Sequence, residues 1–221
     1  DEDIQAGLGF HETLKRGYRS ILCSPRFLYL YELPGQLDDY AIASRLSYFL
    51  WSTMPDRALL VEADAGRLTD ARARGQQVER MLNDPKAEAF TENFTGQWLS
   101  LRAIDATAPD RTLYPEYDDV LKTASLKEPK LFFDEVLRHD LSLTNFVSSD
   151  FTFLNARLAE HYGIPGIEGA QMRKVELPPG SHRGGVMTMS SVLKVTANGT
   201  TTSPVLRGAW LAVPPASDGG R

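Results

Sequence analysis

The residues best equipped for chemistry in this sequence are four histidines, one cysteine and a hydroxyl-rich stretch late in the chain. Glu135 and His139 stand at i, i+4, so both side chains project from one helix face, as helical metal ligands do. No second ligand pair at metal spacing accompanies them, and a histidine at a helix C-terminus also suits the helix dipole. An ion pair on a solvated helix end is therefore the simpler reading. His161 falls in the last turn before Gly163, where the dipole again accounts for it, and His11 lies in the first turn of the first helix, read as exposed. Cys23 sits beside Ile21 and Leu22 on an apolar helix side, which reads as buried and inert. Neither Gly-x-Ser-x-Gly nor His-Glu-x-x-His occurs. The carboxylates Asp38/Asp39 and Asp118/Asp119 are adjacent, and adjacent helical residues diverge by about 100°, so neither pair converges on a substrate.

The stretch RGGVMTMSSVLKVTANGTTTSPVLRGAWL, residues 183–211, is the densest in unusual features. Gly184 and Gly185 permit positive φ or close backbone approach. Asn198-Gly199 is a turn signal, and Ser203-Pro204 reads as a cap followed by a first-turn proline opening a final helix. Neither a Walker loop nor a dinucleotide fingerprint is present. His182, Arg183, Thr200, Thr201 and Arg207 remain unexplained by turns and caps, and form the candidate polar cluster. The stretch is expected to fold back as a lid over a polar cleft, with Met187, Val192, Leu193 and Val195 on its buried side. Arg183 and Arg207 each precede a glycine, leaving room for an anionic partner, either a ligand or a structural carboxylate such as Asp150.

Helical periodicity positions these groups. Leu14, Tyr18, Ile21 and Leu22 define a buried face of the first helix, bounded by Pro25. Asp38 and Asp39 offer caps for a helix burying Ile42, Leu46, Phe49 and Leu50. A short helix follows Met54-Pro55-Asp56 and ends at Gly66. Thr69 is placed to cap a helix with Val78, Met81 and Leu82 inward. Asp84-Pro85 opens one with Phe90, Phe94 and Trp98 at i, i+4, i+8, read as core. A long pattern from Pro115 to about His139 contains Pro129, which predicts a kink or break. Leu154, Leu158 and Tyr162 mark a further helix closed by a left-handed Gly163. RKVELPPG reads as a short strand. The expected fold is all-α, an irregular helical domain over residues 1–211 with at most a short hairpin near its C-terminal third. Residues 212–221 read as a Pro/Gly-rich tail.

Composition narrows the function classes. With 42% hydrophobic and 24% charged residues, the 221-residue chain is ordinary for a globular protein. A net charge of −5 argues against a general nucleic-acid binder, which needs a basic face. No apolar run reaches the length of a transmembrane helix. One cysteine excludes both an intramolecular disulfide and the Cys-x-x-Cys-His haem attachment, and no cofactor or metal is expected in this chain. The acidic opening DEDIQAGLGF shows no signal-peptide pattern.

The blocks SILCSPRFLYLYE, LDDYAIASRLSYFLWSTMPD, GRLTD, QVERMLNDPKAEAFTENFTGQWL, LYPEYDD, LFFDEVL, DFTFLNARLAEHYGI and the late stretch, taken in order, resemble a known family. It is the planctomycete-type secreted domain of unknown function associated with cytochrome-c-like modules. That resemblance implies a periplasmic or secreted location, and a cytochrome-c-like domain or other protein subunits as partners, with haem only on the partner. The leading expectation is a helical accessory domain or subunit of c-type cytochrome or electron-transfer proteins. The alternatives are an extracellular enzyme acting on a polysaccharide or other polymer, with Glu135, His139, His182 and Arg183 as its groups, and a structural subunit of a larger assembly.

Overall fold

Aspartate side chains start most of the longer helices. Asp38 accepts the Ala41 N–H at 2.7 Å, Asp56 that of Leu59 at 2.9 Å, Asp70 that of Ala73 at 2.8 Å and Asp118 that of Leu121 at 2.7 Å. Each satisfies a donor that the first helical turn leaves unpaired. Asp70, not Thr69, is thus the cap of its helix. The computed structural model describes residues 9–29, 32 and 34–212. Most of the expected tail, residues 213–221, lies outside them. The chain divides into two compact units, Asp1–Phe90 and Thr91–Arg221.

In the first unit, helices α1 (Phe10–Leu22) and α2 (Pro25–Leu28) precede α3 (Asp39–Trp51), α4 (Arg57–Asp64) and α5 (Ala71–Leu82). The core joins Ala43, Leu50 and Trp51 of α3 to Leu59, Leu68 and Met81. Trp51 donates its indole N–H to the Met81 carbonyl at 2.9 Å, pairing the one polar atom of a large buried side chain. The buried stripe of α3 is Ala43, Ser47, Leu50 and Trp51, one residue later than the expected Ile42, Leu46, Phe49, Leu50. Ile42 and Leu46 flank it, while Phe49 is exposed and touches Phe90, ring centroids 5.0 Å apart.

Helix α1 departs from expectation. It buries no residue: Tyr18 is 63% and Ile21 59% exposed, Leu14 and Leu22 are exposed too, and so is Cys23. An amphipathic stripe records which face a helix can bury, not whether a neighbour covers it.

Helix α6 (Glu88–Trp98) begins in the first unit and ends in the second, followed there by α7 (Asp119–Arg138), strand β1 (Phe151–Leu154), α8 (Ala156–Tyr162), strand β2 (Arg173–Glu176), α9 (Ser190–Val195) and α10 (Pro204–Ala212). The strands pair antiparallel, Phe151 opposite Glu176 and Leu154 opposite Arg173. Leu154 therefore belongs to a strand rather than to the helix, which starts only after Asn155 caps it through the Leu158 N–H. Gly163 closes α8 in the left-handed conformation, φ 68°. Among the described residues the fold is mainly helical, with one small hairpin.

Pro129 does not break α7, which is helical from Asp119 to Arg138. The proline lies on a face buried with Glu128, Phe132 and Phe133. Phe132 stacks on Phe151 of β1 at 4.9 Å, so packing on both sides of the proline holds the helix despite the missing donor. Around that contact the main core gathers Leu99, Leu101, Val136, Val186, Met189 and Val192, and a smaller one joins Leu121 to Leu154 and Leu158. Among the described residues no helix is long and apolar enough to cross a membrane.

Candidate functional site

The late stretch explains its glycines by close approach. At Gly184 (φ 140°) a Cβ would lie 2.3 Å from the Ser149 carbonyl oxygen, and at Gly185 (φ 81°) 2.6 Å from that of Val147. No side chain fits at either position. Asn198 Oδ1 accepts the backbone N–H groups of Thr200 at 3.1 Å and Thr201 at 2.8 Å, and both hydroxyls at 3.2 Å. That is turn chemistry.

The candidate polar cluster is distributed over separate partners. Arg183 donates to the Thr188 carbonyl at 2.8 Å and lays its guanidinium 3.5 Å above the Tyr162 ring. Its charge acts on the Glu128 carboxyl. Arg207 donates to the Thr196 hydroxyl at 3.3 Å and the Thr202 hydroxyl at 2.8 Å. His182 is exposed. Glu135 meets His139 at 3.5 Å and Lys174 at 2.7 Å on the surface. Among the described residues no group of three His, Cys, Asp or Glu side chains is placed to hold a metal ion.

Thr201 and Arg207 do share a cleft of about 330 Å³ in the second unit. Its apolar wall includes Ile104, Tyr114, Leu121 and Leu193, and its polar groups include Lys194 and His161. His182, Arg183 and Thr200 do not line it. Of the residues expected to be buried under the stretch, Val192 is wholly buried, whereas Met187, Leu193 and Val195 are half-buried and Leu193 faces the cleft. Two hydroxyls on the lining residues, Tyr117 Oη and Ser191 Oγ, are buried without a hydrogen-bond partner among the described residues. Burial pushes the Tyr117 phenol up to about 12. Partial loss of solvent lowers the His161 pKa, helped by the charge of Arg183, and burial likewise lowers that of Lys194.

Ser191 and Lys194 stand at the Ser-x-x-Lys spacing in which a lysine can activate a serine nucleophile, a signal that the sequence reading passed over. The pair is not assembled for that role. The Lys194 ammonium donates to the carbonyls of Ile104 and Thr107, the latter at 2.9 Å, and Ser191 Oγ receives nothing from it.

Behind the cleft lies the group that the sequence reading missed altogether. Glu128 is 1% exposed. Thr152 donates its hydroxyl to Oε1 at 2.7 Å, and Tyr162 its phenol to Oε2 at 2.5 Å. The Tyr162 oxygen accepts the N–H of Ser190 at 2.8 Å, serving the first turn of α9 as a cap from a distant helix. Ser190 Oγ lies 2.7 Å from Ser125 Oγ, and both serines line the cleft. Burial pushes the Glu128 carboxyl up to about 7, against the opposing pull of the Tyr162 and Thr152 hydrogen bonds and of Arg183. Tyr162 is raised well above its usual value by burial and by Glu128 beside it. A signal existed: Leu121, Ala124, Ser125, Glu128 and Phe132 follow one helical stripe, which places a carboxylate at a core position.

Residues 37–164 match a family model described as "PSD4: Protein of unknown function (DUF1592)". The match takes in Glu128 and Tyr162 but stops short of Ser190, Lys194 and Arg207. Neither the curated proteins nor the solved structures contain a match.

Proposed function

The chain belongs to the PSD4 family of unknown function (DUF1592), a domain family that occurs alongside cytochrome-c-like modules, and from that premise we propose that it is an extracytoplasmic accessory domain that docks such a module. The observation that supports this reading is the uncovered face of α1. Phe10 (75% exposed), Tyr18, Ile21 and Leu22 present apolar surface on one helix. Apolar side chains clustered on a helix face are a common anchor for a partner protein. Arg19 on the same helix favours a partner whose rim carries acidic groups. In this reading haem stays on the partner, and the accessory domain contributes position rather than redox chemistry.

The test uses the whole chain as bait for c-type haem proteins from the same source, read by haem absorbance, beside a Tyr18→Ser/Ile21→Ser variant. The expected result is haem recovered with the wild type, lost with the variant, and an unchanged melting temperature, because both side chains are exposed. Recovery of no haem protein by the wild type, or equal recovery by the variant, overturns the proposal.

A further inference from the structure

We propose that the cleft between α7, α9 and the turn at residues 197–202 binds a small organic carboxylate with a flat apolar body. This goes beyond docking: the site is built from residues of the second unit, whereas the docking proposal rests on residues of the first. Its volume, about 330 Å³, falls within the range of small-molecule sites. The walls are mainly apolar and aromatic, which selects a ligand with a hydrophobic body over a free inorganic ion.

The charge arrangement selects the sign. Arg207 is half-buried at the cleft and donates only to neutral hydroxyls, those of Thr196 and Thr202. Among the described residues it makes no ion pair, although a guanidinium matches a carboxylate better than any other group. Lys194, the second cation of the lining, likewise donates to carbonyls rather than to a carboxylate. Asp105 acts on Lys194 only from a distance, and its own ion pair is with Lys122 at 2.5 Å. The one acidic side chain in the lining, Glu116, is exposed and its field falls on His161.

The second observation is independent of charge. Tyr117 Oη and Ser191 Oγ belong to lining residues and have no hydrogen-bond partner among the described residues. A buried hydroxyl left unpaired is costly, so two such groups on residues lining one cleft mark a place where a ligand's polar substituent gains what the protein itself does not supply. The ligand this describes places its carboxylate at Arg207, its apolar body against Leu121 and Leu193, and a hydrogen-bonding substituent toward Tyr117.

The probe is 4-hydroxybenzoate, titrated into the full chain by ligand-observed NMR and calorimetry. Its neutral isostere 4-hydroxybenzamide and inorganic phosphate serve as the other two arms. For a probe of this size the expected dissociation constant is about 1 mM. The amide and phosphate are each expected to bind at least about tenfold more weakly. Arg207→Gln is expected to weaken 4-hydroxybenzoate about tenfold. Tyr117→Phe is the control for folding: it deletes only an unpartnered oxygen, so the melting temperature holds or rises while probe binding weakens severalfold. Equal binding of acid and amide overturns the proposal, as does phosphate binding as tightly as the acid. So does wild-type affinity in both variants, or no binding of 4-hydroxybenzoate at about 10 mM.

Discussion

The phenol of Tyr162 donates a 2.5 Å hydrogen bond to Oε2 of Glu128. A carboxyl this buried is costly to ionise, and two hydroxyl donors and a nearby guanidinium only partly offset that cost. The outcome is a group poised to change protonation near neutrality, in the middle of a structural core.

That poise makes stability depend on pH with a definite sign. The folded-state pKa of Glu128, about 7, lies above its ordinary value of 4.5, so the folded chain holds the proton more tightly than the unfolded chain. The contribution of Glu128 to stability is fully present below about pH 4.5, is lost as pH rises to about 7, and is flat above. The expected loss is about 3 kcal/mol. Glu128→Gln has no such proton to release, so its stability relative to wild type should climb by that amount across the same window. Urea denaturation of both proteins at a series of pH values measures it, and parallel curves would show that Glu128 titrates normally.

Gly184→Ala should destabilise the second unit by about 3 kcal/mol or more, since its Cβ meets a backbone oxygen and its φ is hostile to side chains. Gly208→Ala is the matched control. Position 208 lies within α10 and nothing stands within 4 Å of the added Cβ, so alanine there should be neutral or stabilising by about 0.5–1 kcal/mol. Thermal melts of the two variants decide the matter; equal effects would mean that residues 183–185 do not pass close to 147–149.

Cys23 is exposed, so a thiol reagent should label it stoichiometrically in the folded chain without denaturant. Labelling that appears only in denaturant would instead restore the buried position read from its neighbours Ile21 and Leu22.

What the sequence made legible was local. Asp38, Asp84 and Gly163 could be read as a helix start, a proline-opened turn and a left-handed stop because each acts on backbone within a few residues of itself. The hairpin strand RKVE was readable from its own residues, but its partner was not. Phe151–Leu154 also fits a helical period, and only pairing with residues some twenty positions later makes it a strand. The break expected at Pro129 failed for the same reason: the contacts that keep α7 helical through it come from Phe151, outside any local window. In the candidate site, Thr201 and Arg207 were singled out as left over from turn and cap roles; both line the cleft, yet Thr201 also serves the Asn198 turn. Glu128 stayed hidden because burial is a property of what packs around α7, and nothing in LKEPK announces that a carboxylate will have Thr152 and Tyr162 for neighbours.

The reach of Ser190 has a consequence for where this domain can be cut. The family match ends at residue 164, yet the N–H that completes the Tyr162–Glu128 pair comes from residue 190. Val186, Met189 and Val192 of the same later segment also fill the main core. A protein trimmed to the matched residues would keep the carboxyl and the phenol but open them to water. Glu128 would then ionise like any surface glutamate, and Phe132 and Phe151 would lose part of their cover. The boundary drawn by similarity is therefore not a folding boundary, and the shortest chain that behaves as the native domain has to extend past residue 195.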